Sequence, residues 1–251
     1  MRALAWRAAG FIVLIALVGL WAEIAALKLI SPVFLPTPAR AWTALWTGLT
    51  QRDLGQKLEG TVLHMLGGWL IASCLGVALG ALIGSSKAAR AYIGPTLEFL
   101  RPLPASAVIP VGIAMFGLTT KMALGVIGFG AIWPMLLSTI HGFAAVEPRL
   151  LEVSSALGFT RLERIVKISL PSAAPDILSG LRLSLTVALI LAVVCEMIAG
   201  LDGLGQSVLL AARAYRSGDL YAGVILLGAI GVTGNAALAA VEARALRWRA
   251  S

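Results

Sequence analysis

Six apolar stretches, at about 8–30, 61–84, 102–118, 122–143, 176–199 and 221–242, limit what this chain can fold into. About 20 apolar residues in a helix are enough to cross the hydrocarbon core of a bilayer. With 59% hydrophobic and 13% charged residues and a mean hydropathy of +0.92, the chain falls outside the range of soluble domains. The expectation is all-α: a polytopic membrane protein of six transmembrane helices, forming one domain over residues 1–251. The first stretch shares the look of a signal peptide, with Arg2 and Arg7 ahead of an apolar middle. Nothing downstream reads as a secreted domain, so it is read as a span.

The net charge of +8 does not point to nucleic acid. Lys and Arg sit in the gaps between apolar runs, and no basic stripe with interleaved aromatics appears. Six spans put both termini on one side. If that side is the cytoplasm, 13 basic residues lie inside, among them Arg2, Arg7, Arg161, Arg164 and Arg249. The other 7, among them Arg40, Arg52, Arg213 and Arg216, lie outside, which is the bias that positive-inside topology requires. Cys74 and Cys195 fall within apolar runs at no spacing that implies a disulfide frame or a zinc site.

The longest polar interruption of the second half, EPRLLEVSSALGFTRLERIVKISLP from Glu147 to Pro171, carries its own helix punctuation. Pro148 suits a first helical position, and Leu150, Leu151, Ser154 and Leu157 follow at helical spacing. Gly158 ends that helix. Thr160 and Glu163 form an S/T-x-x-E capping box for a second, with Leu162, Ile165, Val166 and Ser169 on one face and Pro171 as the stop. Two short helices hinged at one glycine are predicted.

Glu152, Val153 and Ser154, then Gly158, Ile168, Leu170 and Pro171, resemble the EAA-x3-G-x9-I-x-LP loop of the permeases of bacterial ATP-binding-cassette importers. The spacing fits without a gap, and the departures are Val153 and Ser154 where the pattern has alanine. LPTP after the first span, RPLP…IP…FG at the third and ISLPSAAP after the loop look most like the branch that imports nitrate, sulfonates, taurine and similar small solutes. The resemblance implies a permease domain in the bacterial cytoplasmic (inner) membrane, with both termini and the coupling loop cytoplasmic. It implies two copies of a separate ATPase subunit, a periplasmic or lipid-anchored substrate-binding protein, and a second permease copy, as a homodimer. The ATPase-coupling residues it marks are Glu152, Val153, Ser154, Ser155, Ala156, Leu157, Gly158 and Phe159, with Ile168, Leu170 and Pro171.

Between these landmarks, Gly76, Gly80 and Gly84 line one helix face with small side chains, which permits close helix approach, and pairing of two copies is expected through such faces. The prolines at 102, 104 and 110 fit either a span facing the bundle interior or a simple packing kink. Gln51 to Glu59 is expected to form a short helix outside the bilayer, Ser85 to Arg101 a polar turn, and Arg182 a snorkelling anchor. His64 is expected to be hydrogen-bonded at a helix interface. Glu196 precedes GLDGLG, which resembles the E…GLG turn after the fifth span of the same family; its residue-level reading is a helix-end carboxylate in contact with water. Met115, Phe116, Glu196 and Met197 are the positional candidates for a translocation pathway. No catalytic residue, metal ligand or cofactor is expected on this chain, since no nucleotide loop, ligand cluster or nucleophile–base pair occurs. A secondary transporter or channel of six spans is the alternative, although such proteins call for mid-span charges or an inverted repeat, and neither is apparent.

Overall fold

The computed structural model describes residues 2–247, among which no strand occurs. The helices are α1 (Arg2–Ala26), α2 (Pro38–Gln51), α3 (Leu54–Gly84), α4 (Lys87–Leu100), α5 (Ile109–Phe116) and α6 (Thr120–Ala144), followed by α7 (Pro148–Ala156), α8 (Arg161–Arg164), α9 (Leu170–Ala199), α10 (Leu204–Arg213) and α11 (Ser217–Ala245). Starts follow the sequence chemistry. The hydroxyls of Thr37, Ser86 and Thr119 accept hydrogen bonds from the amides of Arg40, Ala89 and Met122 at the heads of α2, α4 and α6. Arg249, which enters the charge balance, lies outside the described residues, as do the side chains of Arg2 and Arg7.

The core is α3, α6 and α9. Glycines along α3 let α6 approach to backbone contact: a Cβ on Gly76 would come within 2.8 Å of Met135, one on Gly80 within 2.6 Å of Thr139, and one on Gly84 within 2.7 Å of Phe143. Residue numbers rise together on both helices, so α3 and α6 are parallel. Helix α9 runs against both. Trp69 Nε1 donates to Leu181 O at 3.1 Å, and Ser184 Oγ donates to Ala131 O at 2.7 Å. Helix α11 runs against α9, with Gly234 facing Leu185 and Arg182 paired with Glu242.

Two adjacent helices can be parallel only if the chain between them returns to the starting end. Residues 85–119 make that return as α4 and a short 3-10 turn leading into α5, bent by 79° to each other. Ala105 sits beside Gly130 and Gly112 beside Met122 and Val126, so α5 runs antiparallel to α6. Four described helical runs are long and apolar enough to cross a membrane, or five with the bent pair as one crossing.

Several expectations change. Helix α1 stops at Ala26, not residue 30, and Lys28 sits in the left-handed region at φ 52°. Lys57 and Glu59 belong to the first turns of α3, not to a separate outer helix, because only two residues separate α2 from α3. Ser85 to Arg101 is mostly helix rather than turn, since the Ser86 cap nucleates α4. Of the two readings of Pro102, Pro104 and Pro110, the single chain gives the kink: they are exposed, and the bend of 79° falls at the first two. Pro171 does not stop the preceding helix: a π turn at Ile165–Ser169 absorbs the missing proline N–H, and the run from Arg161 to Ala199 continues for 39 residues. Arg182 is paired with Glu242 rather than simply snorkelling. The glycine face at 76, 80 and 84 is occupied by α6 of the same chain and is not free to pair two copies.

Gly80→Leu should cost about 1–3 kcal/mol, because the opposing contacts are the Thr139 Cβ and the Leu136 backbone oxygen, which cannot swing aside. Gly228→Ala, with open space at its Cβ position inside α11, should cost nothing and stabilise by up to about 1 kcal/mol. Thermal unfolding of the two variants in detergent makes the comparison.

Candidate functional site

The elbow formed by α7, Gly158 and α8 is fixed by local hydrogen bonds. Phe159 N donates to Ser154 O at 3.0 Å and Gly158 N to Ser155 O at 3.1 Å, a Schellman ending with Gly158 at φ 74°. Space around Gly158 is open, so conformation and not room requires glycine there. Thr160 and Glu163 form the reciprocal capping box. The Thr160 backbone N–H and then Lys167 hold the Glu163 carboxyl down to about 2. Arg164 Nη1 donates to Ser155 Oγ at 3.2 Å across the elbow, and Lys167 lies 5.0 Å above the Phe159 ring.

Apolar side chains on the elbow are largely unburied. Ser154 is buried, but Leu150, Val153, Leu157, Leu162 and Val166 are exposed, Leu162 by 70%. Glu152 is exposed and has no ion-pair partner among the described residues, while Ile168 is half-buried and Leu170 and Pro171 are exposed. At 1.5 Å per residue, the run Arg161–Ala199 is about 58 Å long, against a hydrocarbon core of about 30 Å. Its polar first third, carrying Arg161, Arg164 and Lys167, therefore projects beyond the bilayer.

At the opposite end of α9, Glu196 is fully buried and not in contact with water. Thr61 Oγ1 donates to its Oε2 at 2.9 Å, Gly205 N donates to the same oxygen at 2.8 Å, and His64 Nδ1 lies 3.0 Å from Oε1. Leu204 N donates to Thr61 Oγ1 at 2.8 Å, which ties the loop to α3 as well. Two glycines of GLDGLG are required by closeness: a Cβ on Gly205 would reach 2.5 Å from Val193 O, and one on Gly203 would overlap the Glu196 carboxylate. Lys57 pairs with Asp202 above the cluster. His64 is hydrogen-bonded at a helix interface as expected. The roles of Thr61 and Lys57 were not legible, since their partners are more than 130 residues away in the chain.

The four pathway candidates are not gathered in one place. Met115 and Phe116 are exposed at the end of α5, which packs on α6; Met197 is half-buried on α9; Glu196 is enclosed between α3 and α10.

A helical membrane bundle with a projecting two-helix elbow is the class of protein these features define. Residues 73–247 match the family described as binding-protein-dependent transport system inner membrane component, and the chain belongs to that family. It is 31% identical over 235 residues to the putative aliphatic sulfonates transport permease protein of Bacillus subtilis (94% of this chain, 85% of that protein). It is 29% identical over 237 residues to the taurine transport system permease protein of Escherichia coli (92% and 86%). With the nitrate import permease protein of Leptolyngbya laminosa it shares 28% over 195 residues (78% and 70%).

Glu196→Ala should destabilise the fold by about 1–3 kcal/mol for each buried donor it strands, because His64, Thr61 and the Gly205 amide lose their shared acceptor. His64→Ala should cost less, about 1–3 kcal/mol, since the carboxylate keeps two donors. Detergent-solubilised thermal melts rank the pair.

Proposed function

We propose that this chain is the permease subunit of an ATP-binding-cassette importer for a small sulfonate, taurine or nitrate-type solute, driven by a separate ATPase that grips the α7–α8 elbow. The observation that carries the proposal is the elbow's make-up: a rigid, doubly capped pair of helices presenting Leu150, Val153, Leu157, Leu162 and Val166 to solvent. Apolar side chains held outward at this density call for a protein groove. The elbow is also mechanically joined to the core. The π turn and α9 form one helical run to Ala199, so tilting the elbow swings the helix packed against α3 and α6.

In this reading α1 is a sixth span, both termini and the elbow are cytoplasmic, and the end of the bundle holding Glu196 faces outward, consistent with the 13-to-7 charge balance. Residues 1–251 form a single permease domain without a cofactor of its own. Two permeases, two ATPases and a substrate-binding protein make the working complex, because one chain supplies one elbow and an ATPase pair needs two. The second permease is a copy of this chain and covers the open apolar face around Pro102, Pro104, Met115 and Phe116; Met115 and Phe116 line the path there. Glu196 supports the path's outer end without lining it.

Gly158→Pro, which forbids φ 74°, and the exposed charge reversal Glu152→Arg should each abolish recovery of the ATPase on the affinity-tagged permease. Membrane insertion of both variants is checked by blotting. Undiminished recovery with both would contradict the coupling role.

A further inference from the structure

A second feature lies at the end of the bundle opposite the elbow. Between α2 and the α10–α11 turn there is an open cleft of about 370 Å³. From α2 it receives Arg40, Thr43 and Thr47, which share one face at i, i+3 and i+7, and Arg52 at the helix end. From the turn it receives Tyr215, Arg216 and Asp219. Three guanidiniums therefore face one carboxylate, a local excess of +2 (3 minus 1).

Asp219 does not use up that charge. It meets Arg52 Nη1 at 3.2 Å and Arg216 Nη1 at 3.1 Å, a single nitrogen of each fork, while Arg40 has no carboxylate within ion-pair distance among the described residues. Each fork keeps further N–H donors for oxygen atoms at the fixed spacing that suits sulfonate and phosphate. Backbone conformation gives an independent sign. Tyr215 ends α10 at φ 55°, with Arg216 N donating to Ala211 O at 2.9 Å and Tyr215 N to Ala212 O at 3.1 Å. This is the same ending that Gly158 makes at the elbow, yet a tyrosine occupies the strained place. Left-handed non-glycine residues concentrate where a side chain is needed at a site, and this one lines the cleft.

We propose that the cleft binds an oxyanion, with Arg40, Arg52 and Arg216 taking the oxygens of a sulfonate-, nitrate- or phosphate-type head and Thr47 and Tyr215 at its rim. As an anchorage for the transported solute it rests on the reading above, in which this end faces outward, and it adds that the permease itself recognises the negative group. A lipid headgroup offers the same chemistry, since Trp42 and Trp46, exposed on α2, suit the membrane interface.

The test uses the full chain in phosphatidylcholine nanodiscs at low salt, titrated calorimetrically with methanesulfonate and with neutral dimethyl sulfone. Methanesulfonate should bind saturably, dimethyl sulfone should not, and Arg40→Gln should weaken binding about tenfold. Asp219→Asn should strengthen it, a direction that a merely structural salt bridge does not give. In nanodiscs containing phosphatidylglycerol, loss of methanesulfonate binding together with lipid enrichment around the wild type but not Arg40→Gln identifies a headgroup as the occupant of the same oxyanion site. Equal behaviour of wild type and Arg40→Gln toward both anions, or no binding of either, overturns the proposal. ATP-driven sulfonate uptake by the assembled wild-type complex separates the two ideas: its absence sinks the importer reading, whereas uptake with the same KM in Arg40→Gln sinks only the cleft's part in anchoring the solute.

Discussion

Lipid tails are as apolar as leucine, so nothing like the hydrophobic effect pushes these helices together; van der Waals contact at short range must do it. The seam between α3 and α6 meets that demand with Gly68, Gly76, Gly80 and Gly84 set against Ile127, Met135, Thr139 and Phe143. Because the seam joins parallel helices, it dictates the topology around it. The chain must come back between them, and the bent α4–α5 segment is what fits. Helix α9 then runs antiparallel across both, with Gly130, Gly142 and Gly180 keeping it close to α6.

The two ends of α9 are held in different ways. At one end, Glu196 draws together α3 and the start of α10 through short, buried hydrogen bonds. At the other, the π turn and Pro171 give the helix a place to bend without losing continuity. The π turn and Pro171 form the joint between this helix and the elbow. The elbow with its outward leucines and valines lies beyond the joint.

Much of this was legible from residues alone. The elbow was readable because its signals are local: Gly158 as the left-handed cap, and Thr160 with Glu163 three residues on. The long apolar runs announced helices for the same reason. What could not be read was whatever depends on a distant partner. Gly76 to Gly84 declared a close approach but not to which helix. Glu196 looked like a wet helix end because Thr61 and His64 lie more than 130 residues earlier. Pro171 misled for a subtler reason, since a π turn lets a helix pass through a proline that ordinarily ends one. The cleft beside α2 left no trace, as Arg40 and Arg216 meet only through the fold.

The enclosed carboxylate also bears on how the chain is built. Synthesis delivers Thr61 and His64 well before Glu196, so the acid enters the bilayer late, and its acceptors' partners are already in place on α3. Residues 200–205 close over the pair through the Leu204 and Gly205 amides. The shell of Glu196 is therefore drawn from both sides of it in the chain, and a ribosome-bound fragment ending before residue 205 carries an acid whose shell is unfinished.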